Sequence, residues 1–246
     1  MADAMPTRFR LRAGNLDTAL RYEAVLRLLA ERWRPGIDVL EVGSGSGGVT
    51  EFLAYPVTGV DPAFERTAER STPWLSRIAG RADALPVGDA SFDAVLCLEM
   101  VEHLAEAERE PALREMVRVL RPGGRLIVTF PADDAALELD RWLDTRYRAR
   151  TGVAHPWVAE HLAAGLPRTE DVRAALVRAG GEGARVFVRK HLSATAFRTL
   201  HWIYTVHGAT ARILLGSPPV LRVVFEALGR MRRGPAYRSI LVLDKP

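Results

Sequence analysis

The stretch VLEVGSGSG, residues 39–47, constrains this chain more than any other. It reads as a buried apolar strand that runs straight into a glycine-rich turn. Gly43, Gly45 and Gly47 alternate with serines, and Glu41 stands two residues ahead of the first glycine. Glycine adopts positive φ and carries no Cβ, so such a turn lets a ligand lie on backbone N–H groups. GGVTEFLA follows as a helix, and strand, glycine turn and helix in that order open the nucleotide site of a doubly wound α/β domain. The string alone leaves its ligand open. Gly43, Gly45 and Gly48 also satisfy GxGxxG, and Asp61 closes the next apolar strand, VTGVD, about where a dinucleotide fingerprint puts its ribose acid. A tight turn with no ligand is the third reading.

Apolar strands and amphipathic helices continue to alternate. Strands are expected at 37–42, 57–61, 77–82, 92–98 and 125–130, and helices at 16–34, 48–55, 63–70 and 111–120. Pro35-Gly36 stops the first helix, Pro111 begins the last, and Pro122-Gly123-Gly124 ends it. A helix at 169–179, with Thr169 as cap and Glu170 and Asp171 in its first turn, leads to strands at 184–190 and 237–245. The fold class is α/β, a doubly wound and mostly parallel seven-stranded sheet with right-handed crossovers. A chain of 246 residues fits one such domain. Its expected parts are an N-terminal helical cap at 1–36, a nucleotide-binding core at 37–131 and an insert at 132–168. Closing elements follow at 169–192 and 234–246, with a helical pair inserted at 193–233.

Cys97 is the only cysteine, which excludes an intramolecular disulfide, and its apolar strand AVLCL points to packing. The N-terminus lacks the apolar core of a signal segment, and no run of about 18 uncharged apolar residues offers a spanning helix. A cytoplasmic location is expected. The net charge of +4 hides an asymmetry: residues 184–246 balance to +9 and residues 1–183 to −5. The basic residues are dispersed, which fits a solvated surface with arginine stems over apolar area; an anionic membrane or polyanionic substrate is the alternative.

Two further blocks narrow the ligand. RADALPVGDASFDAVLCLEMVEHL (81–104) and EMVRVLRPGGRLIVTFP (115–131), taken with VLEVGSGSG and GVDPAFE, resemble class I S-adenosylmethionine-dependent methyltransferases of the small-molecule group. The resemblance is strong over residues 37–131 and weak outside them. Hydride chemistry would leave both later blocks unexplained. The resemblance implies S-adenosylmethionine as cofactor. Its methionine end would lie on Gly43, Ser44, Gly45 and Gly47, with Glu41 near the amino group. Asp61, followed by Pro62, would accept the ribose hydroxyls. Asp83 would contact the adenine, with Ala82 and Ala84 leaving room for the ring. Leu98, Glu99, Met100 and His103 would face the sulfonium.

Methyl transfer to O, N or C is an in-line displacement that needs alignment, exclusion of water and, for some acceptors, loss of a proton. No metal is intrinsically required. Glu99 and His103 are four apart and share a face if the segment is helical. His103 is the candidate base; tying down the loop is its other reading. The insert supplies the substrate candidates Arg141, Tyr147, His155, Trp157, Glu160 and His161. His155 with Glu160-His161 offers metal-type donors, but two histidines six apart are weak evidence, and no metal is expected. Arg141, Arg146, Arg148 and Arg150 read as a solvated basic stripe.

The segment 193–233 reads as two helices, 193–215 and 218–231, apolar over much of their circumference and projecting from the domain. Such helices bury more than one face. A lid over the site, a homodimer contact or a peripheral membrane contact would each satisfy them. The expected partner is a small molecule or a glycan- or lipid-linked metabolite. Nucleic acid is not expected, since no Asn/Asp-Pro-Pro-Tyr motif or basic-aromatic cluster occurs. Nucleic-acid or protein methylation, and a non-catalytic interaction protein on the same fold, are the competing functions.

Overall fold

In a computed structural model of the chain, residues 4–45, 47–65, 72–205 and 216–246 are described. The strands are β1 (Val39–Val42), β2 (Val57–Val60), β3 (Leu75–Ile78), β4 (Phe92–Leu98), β5 (Leu120–Pro131), β6 (Arg185–Ser193) and β7 (Ala236–Asp244). They form one sheet in the order β3-β2-β1-β4-β5-β7-β6. β1 pairs in parallel with β2 and β4, β2 with β3, and β4 with β5, while β7 lies antiparallel between β5 and β6. The expected doubly wound, mostly parallel sheet is therefore present. Its order reverses between β1 and β4, and ligands of open α/β sheets bind beyond the strand ends at such a switch point.

The helices are α1 (Leu16–Ala30), α2 (Glu106–Val119), α3 (Asp133–Thr151), α4 (Pro156–Ala164), α5 (Thr169–Gly180), α6 (Ala194–Thr205) and α7 (Pro218–Arg230). Alternate strand residues feed opposite faces, as the pleat requires. Leu40, Val42, Val95, Cys97 and Val128 pack with Leu113 and Met116 of α2 and Leu176 of α5. Val39, Leu96, Ile127 and Val242 pack with Tyr22, Val25 and Leu29 of α1. A third cluster joins Leu16 and Leu20 of α1 to Leu139, Leu143, Val158, Phe197, Leu200, Leu221 and Leu228 of the later helices.

Several local expectations are corrected. The helix at 48–55 is a short 3-10 turn, Gly48–Glu51. Of the helix at 63–70, a 3-10 turn Pro62–Glu65 is described and residues 66–71 lie outside the described residues. The strand at 77–82 lies earlier, at Leu75–Ile78. α2 begins at Glu106, so Pro111 sits inside it. The start is made instead by Glu108, whose carboxylate accepts the N–H of Ala105 at 3.2 Å. Thr169 does not cap α5: Asp133 accepts its N–H at 2.8 Å and its hydroxyl at 2.6 Å. That cap comes from a residue at φ 64, a strained value for a non-glycine.

The described parts of the inserted helical pair do not project. α6 and α7 bury Ala196, Phe197, Leu200, Leu221 and Leu228 against α1, α3 and α4, leaving Trp202 and Val223 exposed. Residues 206–215, the rest of the first expected helix, lie outside the described residues. Among the described residues, no helix is long and apolar enough to cross a membrane.

Candidate active site

The glycine turn divides into two kinds of position. Gly43 (φ 77) and Gly48 (φ 51) are closed in by protein: a Cβ would lie 2.4 Å from Met100 Cγ and 2.0 Å from Glu41 Oε2 respectively. Gly45 (φ 52) has open space where a Cβ would stand. Positive φ explains glycine at all three, but only Gly45 combines it with free room above the backbone. Ser44 turns inward; its Oγ would meet a Cβ on Gly59 at 2.4 Å and has no hydrogen-bond partner among the described residues. At Gly47 a Cβ would press on Glu51.

Carboxylates stand at the C-terminal ends of consecutive parallel strands. Asp61, after β2, accepts the N–H of Gly45 at 3.0 Å and of Ala63 at 2.7 Å, which ties the two loops together. A carboxylate has about four lone-pair sites, so capacity for two hydroxyls remains. Pro62 follows on the surface. Asp83, beyond β3, is gripped by both Nε and Nη2 of Arg81 at 2.9 Å, and Arg81 also reaches Glu108. Ala82 packs against the core and Ala84 is exposed.

Glu41 lies within β1 and is buried. It accepts the Val49 N–H at 2.7 Å and the Tyr22 hydroxyl at 3.2 Å. Burial pushes its pKa up to about 8, against the lowering effect of those two bonds. Its work in the free chain is to anchor the 3-10 turn beneath Gly48.

At the end of β4, Leu98 is buried and Glu99 adopts φ 54. Such backbone strain in a non-glycine persists where its surroundings over-determine it. The Thr129 hydroxyl donates to Glu99 Oε1 at 2.9 Å, and Arg238 Nε lies 2.8 Å from that oxygen without aligning its N–H. Arg21 and Asp17 complete a buried charge cluster with Arg238, which is 2% exposed. Glu99 and His103 do not share a helical face: the 3-10 turn Val101–His103 begins two residues beyond Glu99.

That turn faces α4. His103 Nδ1 lies 3.4 Å from Glu160 Oε2, and its ring centroid is 5.7 Å from that of His161. Burial, then His161, pushes the His103 pKa below its ordinary value. His161 is itself buried, with Nδ1 2.9 Å from Asp140 Oδ2, and the Tyr237 hydroxyl donates to Asp140 Oδ1 at 2.8 Å. Beside His103, Glu102 is buried and its Oε2 has no hydrogen-bond partner among the described residues.

The structure brings most of the insert's candidates together. Tyr147, His155, Trp157 and His161 form a continuous row of ring contacts, with centroids 4.6, 4.6 and 5.2 Å apart, and Glu160 joins it through His103. Arg141 is not in this group; it is exposed on the outer side of α3. Sequence reasoning missed Asp17, Arg21, Glu102, Asp140, Tyr237 and Arg238. Asp140 had a visible signal: it continues the apolar face of Ala136, Leu139 and Leu143, where an unpaired acid has no place. A cavity of about 1090 Å³ lies elsewhere, lined by residues of α1, α7 and β6.

The family described as "Methyltransferase domain" matches residues 40–128. A demethylmenaquinone methyltransferase of Mycobacterium tuberculosis is 32% identical over 168 residues, covering 63% of this chain and 71% of that protein. One of Renibacterium salmoninarum is 34% identical over 133 residues, covering 46% of this chain and 54% of that protein, so the chain spans about half the length of some relatives it matches. Among solved structures, an S-adenosylmethionine-dependent methyltransferase of Thermotoga maritima superposes with a TM-score of 0.56 at 19% identity, covering 94% and 93% of the two chains. A Haemonchus contortus phosphoethanolamine N-methyltransferase 2 in complex with S-adenosylmethionine gives 0.54 at 16% identity, covering 92% of this chain and 52% of that one. These structural likenesses are of fold, and the sequence matches carry the family. The chain belongs to the class I S-adenosylmethionine-dependent methyltransferases, with S-adenosylmethionine as its cofactor.

Proposed function

We propose that the chain transfers a methyl group to a small molecule that presents an unsaturated ring, at an oxygen or carbon of that ring. The observation that carries this reading is the convergence of the Gly45 turn, Asp61 and Glu99 at the ends of β1, β2 and β4, with the turn after β4 placing His103 against His161, the end of the aromatic row of α3 and α4. The relatives' names, demethylmenaquinone methyltransferase, support a ring acceptor.

The residues fit the cofactor. Gly45 leaves its backbone open to an anionic group, and Asp61 retains acceptor sites for the ribose hydroxyls. Gly43, Ser44 and Gly47 shape the turn, and Pro62, Ala82, Asp83 and Ala84 border the nucleoside. Leu98 and Glu99 end the strand beneath it. When bound, S-adenosylmethionine supplies an electrophilic methyl carbon. Glu41, protonated near neutral pH, positions the turn through Val49. The strained Glu99 is held by Thr129 and Arg238 at the strand end, so its carboxylate does not swing. His103, half exposed and kept neutral near pH 7 by its surroundings, offers a lone pair for the acceptor's proton. Tyr147, His155, Trp157 and His161, half-buried or buried and packed edge-on or tilted against one another, offer the acceptor an aromatic wall, and Glu160 orients His103.

The test is incubation with methyl-labelled cofactor and separate small-molecule, nucleic-acid and protein fractions. Label in ring-containing small molecules is expected. Label confined to nucleic acid or protein would overturn the proposal.

A further inference from the structure

The described residues hold one cluster of metal-type donors, and the sequence did not put it together. One carboxylate oxygen of Glu102 and one ring nitrogen each of His103 and His161 lie within 4.8 Å of one another. Glu102 and His103 come from the 3-10 turn after β4, and His161 from the last turn of α4. His155, the other histidine of the sequence-level metal candidate, is not in the cluster.

Three observations point to a ligand for it. Glu102 is 1% exposed, yet its Oε2 has no hydrogen-bond partner among the described residues. Buried polar atoms are nearly always satisfied, so an orphaned carboxylate oxygen marks a missing partner. His161 is 5% exposed, and its Nδ1 is held by Asp140, which is held in turn by Tyr237. With Nδ1–H donating to the Asp140 carboxylate, Nε2 carries the lone pair. A carboxylate behind an imidazole in this way fixes the tautomer and ring orientation of metal-ligating histidines. His103 is half exposed, which leaves one side open, and Glu160 stands 3.4 Å from its Nδ1 as a further oxygen donor.

We propose that Glu102, His103 and His161 bind a divalent first-row transition-metal ion with an open position toward the acceptor. Two imidazoles and a carboxylate suit Zn²⁺, Co²⁺ or Fe²⁺ better than Mg²⁺ or Ca²⁺, which prefer oxygen ligands. Zn–N bonds near 2.0 Å require the three side chains to close inward, and His103 has the freedom to do so. Only the purpose of the ion rests on the methyl-transfer reading: it would take an oxygen of the ring acceptor. His103 is then a ligand and not a base. Asp140 is a positioning residue.

Tag-free full-length chain, stripped with a chelator, is titrated with Co²⁺ or Zn²⁺ alone by calorimetry, and with Co²⁺ by visible absorption. Expected is about one ion per chain, bound well below about 1 mM. Glu102→Gln and His161→Gln should each weaken it ten-fold or more. Asp140→Asn should weaken it by about 10–100-fold and shift the Co²⁺ bands. Binding no tighter than about 1 mM, or binding unchanged in Glu102→Gln, overturns the proposal. Glu102→Gln keeps the side-chain shape, so it decides the matter even if His161→Gln fails to fold. Calorimetry with S-adenosylmethionine and the stripped chain separates the two readings: loss of cofactor binding with ion binding intact removes the methyl-transfer reading and supports this one.

Discussion

Asp61 reaches back sixteen residues to the N–H of Gly45, whereas Asp140 is bonded to Tyr237 ninety-seven residues away. The proposed cofactor half of the site is made from strand ends and the turns that leave them. The groups proposed to hold the cofactor are the open backbone at Gly45 and the carboxylates that follow β2 and β3, and their order along the chain follows the order of the strands. The proposed acceptor half is made from side chains that meet only after α3, α4 and β7 have packed, and Glu102, Asp140 and His161 are buried in it. A turn built on backbone tolerates variation in neighbouring side chains. A buried network loses function, fold or both when one member leaves.

The largest expected effect falls on the acceptor half. His103→Gln should lower turnover by about 10²–10⁴-fold with little change in cofactor affinity, whether the imidazole acts as base or as ligand. Single-turnover assay with calorimetry checks this, and a rate within a few-fold of wild type would leave the imidazole as a mere tether of the loop. Arg238→Met comes next. It leaves Asp17 and Glu99 without their buried cation, and breaking such a cluster costs about 3–5 kcal/mol in denaturant unfolding. A loss below about 1 kcal/mol would mean that the cluster is not what stabilises this half.

The cofactor half should show a pH effect of opposite sign to most acids. Glu41 has a folded pKa of about 8, above its ordinary value, so the folded chain binds the extra proton. Its contribution is fully present below the unfolded pKa and is lost as pH rises through about 8. Stability should therefore fall across that window, by on the order of 1 kcal/mol per pH unit at most. Glu41→Gln should flatten the slope in urea titrations at several pH values; an unchanged slope would mean that Glu41 is ionised in the fold. Asp61→Ala should weaken cofactor affinity by about ten-fold or more, as loss of charge-assisted hydrogen bonds would. Equal affinity by titration would remove Asp61 from the ribose site. The smallest effect belongs to the outer side of α7: Val223, 68% exposed, should tolerate serine within about 0.5 kcal/mol, and a larger loss would reveal a covering surface.

The layered sheet, the glycine turn and the carboxylate after β2 were legible because each rests on local grammar: period-2 apolar runs, glycine at positive φ, and a polar residue where a strand leaves the core. Boundaries were less legible. Pro111 reads as a helix start, but Glu108 caps the helix five residues earlier than expected. Thr169 reads as a cap, but Asp133 supplies it from across the fold. The helical pair reads as projecting because a second apolar face has no visible partner in one dimension; in the fold, α1, α3 and α4 provide it.

By itself, then, the sequence determined the α/β class, the strand sequence, the family and the cofactor, since these depend on spacings within one strand–turn unit at a time. Tertiary structure alone decided that Gly45 and not Gly43 or Gly48 is open, that Arg238 neutralises Glu99 and Asp17, and that Glu102, His103 and His161 meet. The physical reason is one of range. Backbone conformation is set by neighbours in the chain, but the energy of a buried charge is set by whatever packs beside it.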